Sequence, residues 1–172
     1  MRSLKRDSRG YPIPAFVLVP ESGEPDLRVL DRAWWLYAVE YRRCGICGQP
    51  LGRHLAFVGG TASISNRLFT DLPMHVDCAQ YALQACPFLA APTFKYASSI
   101  PQLDGVATRM SEAVSDQRPT IYGMGVTRSF QVVVAGDNTP ALLASAFERI
   151  EWWSKGARID HSPSSPDHQP SH

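Results

Sequence analysis

No run of about 18 apolar residues occurs in this chain, so no helix of it is expected to span a bilayer. Lysine is scarce: of 17 cationic residues only Lys5, Lys95 and Lys155 are lysine, and the rest are arginine. Net charge is also small. Sixteen acidic residues leave a formal +1, which excludes a global field drawing the chain to nucleic acid or an anionic membrane. GC-rich coding alone produces such an arginine bias, so it assigns no ligand. The basic start, Met1 to Gly10, lacks the apolar stretch of a secretory signal, and a reducing cytoplasmic location is the default expectation. In that compartment Cys44, Cys47, Cys78 and Cys86 are expected to be thiols or metal ligands, not disulfides. The serines lack a paired His and Asp arrangement, so no hydrolase triad can be assembled. Gly123-Met124-Gly125 is too short for a nucleotide loop and is read as a bulge.

At 172 residues and 44% hydrophobic, the chain is long enough for one domain with a core. A mobile basic arm is expected over 1–10, a single α+β domain over 11–160, and a disordered tail rich in Ser, Pro and His over 161–172. Ala15 to Val19, between Pro14 and Pro20, reads as an edge strand. Leu27, Leu30, Trp34, Tyr37 or Ala38, and Tyr41 recur at helical spacing, which predicts a helix from about Asp26 to Arg43. A strand over His54–Val58 and a Gly59-Gly60 turn suffice for a hairpin, Thr61–Thr70 holds at most a helical turn, and His75 to about Cys86 is a second helix ended by Pro87. A short helix is expected near Val106–Val114, and Thr120–Val126 with Ser129–Ala135 suggests a hairpin. Thr139 as N-cap and Pro140 after it predict a last helix, striped by Leu143, Ala146 or Phe147, Ile150 and Trp153 and stopped by Gly156.

The chemistry concentrates in two short motifs. Arg43-Cys44-Gly45-Ile46-Cys47-Gly48 is a Cys-x-x-Cys knuckle, and Met74-His75-Val76-Asp77-Cys78-Ala79 brings a His and a Cys three residues apart. On a helix such a pair shares one face, and a first-turn position puts the positive helix end beside the thiolates. Two thiols plus a His/Cys pair suit one tetrahedral Zn²⁺ with ligands Cys44, Cys47, His75 and Cys78. Cys86 lies eight residues past Cys78, about 12 Å along a continuous helix, and reads as a packed thiol. An iron–sulfur site using all four cysteines requires that helix to break early. Four protein ligands leave no open position, so the ion is structural and couples to folding.

Knuckle, hairpin and ligand-donating helix together resemble the treble-clef class of zinc fingers over about Cys44–Cys86, with a zinc module spanning about 40–90. The pieces Cys44-Gly-Ile-Cys-Gly48, His75-x-x-Cys-Ala-x-Tyr-Ala82, Cys86-Pro-Phe-Leu89 and Glu151-Trp-Trp153 also resemble a cassette of bacterial and bacteriophage proteins to which no activity is attached. The class hosts many functions, so the resemblance implies a site and no activity.

Around this module, adjacent tryptophans cannot both face inward, which makes Trp35 and Trp152 the candidates for a contact surface. Arg42 and Arg43, with Arg53 and Arg67, could contact phosphates, against a mixed surface that includes Glu40, Asp71 and Asp77. The leading expectation is a zinc-stabilised, non-enzymatic protein that binds another protein. The alternative is a nucleic-acid-binding accessory or regulatory protein. A metal-dependent nuclease built on His54 and Asn66 comes third, because its helix histidine would have to be His75, already committed to the ion.

Overall fold

The computed structural model describes residues 4–27, 29–90, 119–135 and 138–160. The helix expected near 106–114 and the tail expected over 161–172 lie outside the described residues. In chain order the elements are α1 (Arg32–Glu40), β1 (Leu55–Gly59), α2 (Thr61–Asn66), β2 (Leu68–Phe69), α3 (Val76–Ala85), α4 (Pro87–Ala90), β3 (Tyr122–Thr127), β4 (Phe130–Val134), β5 (Pro140–Ala144), β6 (Arg149–Ser154) and β7 (Ala157–Ile159). The class is α+β. The strands form two antiparallel sheets, ordered β1-β3-β6-β7 and β2-β5-β4.

Side-chain alternation along β1 divides the interior in two. Ala56 and Val58 face a core shared with Cys44, Met74, Cys78, Ala79, Leu83, Met124 and Trp153. Leu55 and Phe57 face the other side, against Trp35, Ala38, Ile64, Phe69, Leu72 and Leu142. A strand apolar on both faces must be covered on both, and α3 with the knuckle covers one side while α1, α2 and the small sheet cover the other. The central β3 is buried at every position. Its Tyr122, Met124 and Val126 enter the first core. Gly123 and Gly125 leave room on the opposite face: an added Cβ would stand 2.4 Å from Ile64 Cγ1 at Gly123, and 2.4 Å from Phe147 Cε1 at Gly125. Pairing with β1 and β6 runs in regular register through both glycines, so they mark close approach and not the expected bulge.

Three further expectations are corrected here. The N-terminal helix is shorter than Asp26–Arg43, because Asp31 caps it by accepting from the Trp34 N–H at 3.0 Å. Before that cap Leu30 pairs with Val17 in an isolated bridge. Gly59-Gly60 does not close a hairpin: β1 pairs with β3 and, at Ala56, with Met74, while Gly60 is the N-cap of α2. β3 and β4 do not form a hairpin either. β3 pairs with β1 and β6, and β4 pairs with β5 in the other sheet. Both edges of β3 are taken, by β1 and β6, so none is left for β4, which pairs with β5 instead.

The predicted C-terminal helix is two strands, β5 and β6, and β7 follows its expected stop. Pro140 opens β5, where a missing N–H is tolerated. In β6, Glu151 and Trp153 point inward while Arg149 and Ile150 are exposed. Lys155 and Gly156, at φ 49° and 79°, form the two-residue turn between Ser154 and Ala157. Both central residues at positive φ make the tight hairpin connection that suits twisted strands.

Residues 4–10 of the segment read as a basic arm are folded against the domain. Leu4 packs on the first core and Arg6 bridges to Pro12. The buried Asp7 carboxylate accepts from Arg9 Nη2 at 2.7 Å and from the Tyr11 N–H at 2.9 Å. Among the described residues no helix is long and apolar enough to cross a membrane.

Candidate metal centre

The knuckle is a tight reversal. Cys44 N–H donates to Gln49 O at 2.8 Å and Gly48 N–H donates to Cys44 O at 2.9 Å, with Gly48 at φ +72°, a conformation glycine takes without steric cost. Two neighbouring segments hold it from outside: Ala15 N–H donates to Ile46 O at 2.9 Å, and Gly45 N–H donates to Pro73 O at 3.0 Å. One residue on, Met74 exchanges both backbone bonds with Ala56, at 2.8 and 2.9 Å. The knuckle, β1 and the entry to α3 are thereby clamped together. His75 is the N-cap of α3 and Cys78 lies in its first turn.

This clamp gathers the ligand atoms of Cys44, Cys47, His75 and Cys78 to within 4.8 Å of one another. His75 Nδ1 stands 3.4 Å from Cys47 Sγ and 3.8 Å from Cys78 Sγ. Tetrahedral bonds of about 2.3 Å to sulfur and about 2.0 Å to nitrogen put such pairs roughly 3.5 to 3.8 Å apart. The imidazole is also correctly presented. Its Nε2 lies 2.9 Å from the Pro50 carbonyl, which can only accept, so Nε2 carries the proton and the Nδ1 lone pair faces the sulfurs.

The electrostatics favour a thiolate within the cluster. Cys44 accepts from the Cys78 thiol, and the backbone N–H groups of Cys47, His75 and Ile46 also point to it, so its pKa falls from 9.0 to about 5 despite burial. The His75 N–H lies 3.4 Å from this sulfur. Cys78 shifts upward because its proton is held by Cys44 and because it is buried near that charge. Cys47 shifts upward mainly by burial. The donor set fits a divalent ion of zinc's preferences: three sulfurs, one imidazole, a helix N-terminus behind them and an oriented histidine. A closed set of this kind holds an ion and offers no vacant position for a reacting molecule.

A proton count tests this charge state. With its pKa lowered to about 5, Cys44 is expected to be a thiolate at pH 7.5 in the metal-free chain, whereas Cys47 and Cys78, both shifted upward, are expected to keep their protons. Zinc binding is therefore expected to release about two thiol protons, measured by calorimetry in buffers of different ionisation enthalpy. A release of three would show that Cys44 holds its proton in the free protein.

The other sequence candidates fall elsewhere. Cys86 is the C-cap of an unbroken α3, at the end opposite the cluster, and it is only partly buried, not the core thiol expected. His54 Nε2 lies 3.4 Å from Glu148 Oε2, and Asn66 Oδ1 accepts from the Leu68 N–H at 2.9 Å; neither joins the cluster. Trp35 is corrected as a surface candidate: it is 5% exposed and its Nε1 donates to Thr70 O at 3.0 Å. Trp152 is half-buried against the second core. The large apolar side chains that reach solvent here are Leu36 and Tyr37 on α1 and Tyr41 at its C-cap. Arg42 is exposed, with its guanidinium 5.2 Å from the Phe130 ring centroid. Arg43 is half-buried over the Tyr37 ring, with a buried Nε that lacks a hydrogen-bond partner.

Sequence reasoning did not single out Arg128, Glu148 and Arg149. Arg128 lies 20 residues before the adjacent pair Glu148 and Arg149, and it meets them because β3 and β6 end side by side. Compared with family models, curated proteins and solved structures, the chain matches none. Its likeness to the treble-clef class therefore rests on the motif residues alone.

Proposed function

We propose that this chain is a zinc-stabilised, non-enzymatic interaction protein acting in a reducing, cytoplasmic setting, and that its partner is another protein. One Zn²⁺ held by Cys44, Cys47, His75 and Cys78 is the structural centre. The treble-clef reading belongs to this proposal. A knuckle precedes a strand, and a helix then supplies the last two ligands, with α2 and β2 standing where a simple hairpin turn would be.

The observation that carries the protein-binding reading is an open groove of about 370 Å³ lined by Leu18, Leu30, Asp31, Arg32, Ala33 and Leu36. It is mostly apolar and shallow, which suits an apolar side chain from a partner's surface better than an enclosed small molecule. Leu36 is 53% exposed at its edge, so it can change without disturbing the core. Leu36→Glu is expected to cut capture of the partner from the native host at least tenfold, while zinc content and thermal midpoint stay unchanged. Equal capture by both proteins would refute the groove.

The alternative, a nucleic-acid-binding accessory protein, draws support from the arginines gathered at one end of the larger sheet.

A further inference from the structure

Three strands of the larger sheet end together. Leu55 of β1 pairs with Thr127 of β3, and Val126 pairs with Arg149 of β6. The residues just beyond those ends are Arg53, His54, Arg128 and Glu148. Arg42 joins them from the chain before the knuckle, donating from Nη2 to Arg128 O at 3.5 Å. Four arginines, Arg42, Arg53, Arg128 and Arg149, thus share one rim, with the side chains of Arg128 and Arg149 each 51% exposed.

The acids on this rim do not cancel it. Glu148 bonds to Arg128 Nε and lies 3.4 Å from His54 Nε2. Its carboxylate is held below the usual range, first by its bond to Arg128 and then by the charges of Arg128, His54 and Arg53, so it is ionised at neutral pH among these cations. Glu151 is buried and shared between Arg149 at 3.1 Å and Arg158 at 3.7 Å. Counting Arg158 against Glu151, the rim keeps a surplus of about three positive charges on a chain whose total is +1. The zinc–thiolate centre would add one negative charge near Arg42, behind the knuckle backbone.

Two features separate this rim from an ordinary solvated surface. Arg42 holds φ 48°, a conformation that favours glycine, at the position just past the C-cap of α1. Tyr41, beside it, is 55% exposed and pairs with the exposed Tyr37 at a centroid distance of 4.8 Å, so flat aromatic faces adjoin the arginines. Strand ends about 4.8 Å apart spread the guanidinium groups over the reach of several phosphates.

From this geometry we infer that the Arg42–Arg53–Arg128–Arg149 rim binds the phosphodiester backbone of a single-stranded nucleic acid, with Tyr41 offering a stacking face to its bases. The inference rests on the alternative, nucleic-acid reading of function. Duplexes keep their bases stacked inside, so the tyrosine face favours an unpaired strand.

The test is fluorescence anisotropy of the zinc-loaded full chain with labelled 20-mer oligo-dT, oligo-U and a mixed-sequence duplex. Single strands are expected to bind with a log–log salt slope of about −2 to −3, as three to four neutralised phosphates require. The Arg53→Gln/Arg128→Gln variant is expected to weaken them at least tenfold at unchanged zinc content. Arg42→Gly should lose several-fold in affinity while its thermal midpoint holds or rises, a pairing that a purely structural role for Arg42 would not give. Tyr41→Ala should weaken single strands and not the duplex. If no single strand binds at low salt, the nucleic-acid reading fails with this proposal. If binding is intact but indifferent to the arginine variants, the rim alone is refuted. Duplex binding as tight as single-strand binding overturns the stacking assignment.

Discussion

Cys78→Ala is expected to cost the protein its metal and to unfold the core built on α3. Structural zinc contributes an apparent 10–16 kcal/mol at neutral pH in zinc-finger peptides, roughly, against about 5–15 kcal/mol for the whole stability of a domain. Cys78 is also buried beside Cys44 and Ala79 in the first core, so its loss removes a ligand and packing together. Elemental analysis should find one zinc per wild-type chain and less than a tenth of that in the variant. Far-ultraviolet dichroism should show helix lost and no cooperative thermal transition. A chelator applied to the wild type should reproduce the same spectrum. Cys86→Ala is the matched control: at the far end of α3, it should keep one zinc and shift the midpoint by only a few degrees. Full zinc occupancy in Cys78→Ala, or loss of zinc from Cys86→Ala, would overturn the ligand assignment.

The second large effect requires no metal chemistry. Gly123→Ala places a methyl 2.4 Å from Ile64 Cγ1 and 2.9 Å from Ile64 Cδ1. Ile64 is buried, and its β-branched side chain on α2 has few rotamers to escape into. The expected destabilisation is about 2–3 kcal/mol, overpacking outweighing the fraction of a kcal/mol that alanine gains over glycine in the unfolded chain. Chemical denaturation would read it directly. Ile64→Ala, costly alone because it opens a cavity, should remove most of that penalty in the double variant, giving a coupling of roughly 1–2 kcal/mol. Strict additivity of the two single changes would mean that Gly123 is there for some reason other than Ile64.

The metal centre was legible because its signal is local. Two ligands three residues apart on a helix and two around a knuckle need only short-range geometry, and α3 begins at Val76 with His75 as cap. The glycine at position 48 is where such a reversal needs one. The C-terminal half misled for the opposite reason. Thr139-Pro140 opens a strand as acceptably as a helix, and Gly156 serves a tight hairpin turn as well as a helix stop. The spacing of Leu143, Phe147, Ile150 and Trp153 suited a helical stripe by coincidence. The informative alternation was Glu151 and Trp153 inward with Ile150 outward, and an acidic residue on the inner face concealed it. Local periodicity also cannot say that β3 leaves β4 for β1. That choice is made by the strands that fill its two edges, β1 and β6, which are distant in the chain. Of the arginine rim, Arg42 and Arg53 were singled out from the sequence, while Arg128 and Arg149 escaped it on the same ground.

The pairing of β1 with β3 sets the order in which the protein can assemble during synthesis. Every ligand of the metal lies between Cys44 and Cys78, so the zinc module can close while the rest of the chain is still being made. The main ladder cannot, because Leu55 must wait for Thr127. Until then the only ladder partner that the nearby chain gives β1 is Met74, although α1, α2, α3 and the knuckle already pack on its faces. A half-made protein therefore presents an open-edged strand fixed in place by an already rigid finger. Its refolding should be slow and concentration-sensitive after the metal is bound, with the late strands setting the pace.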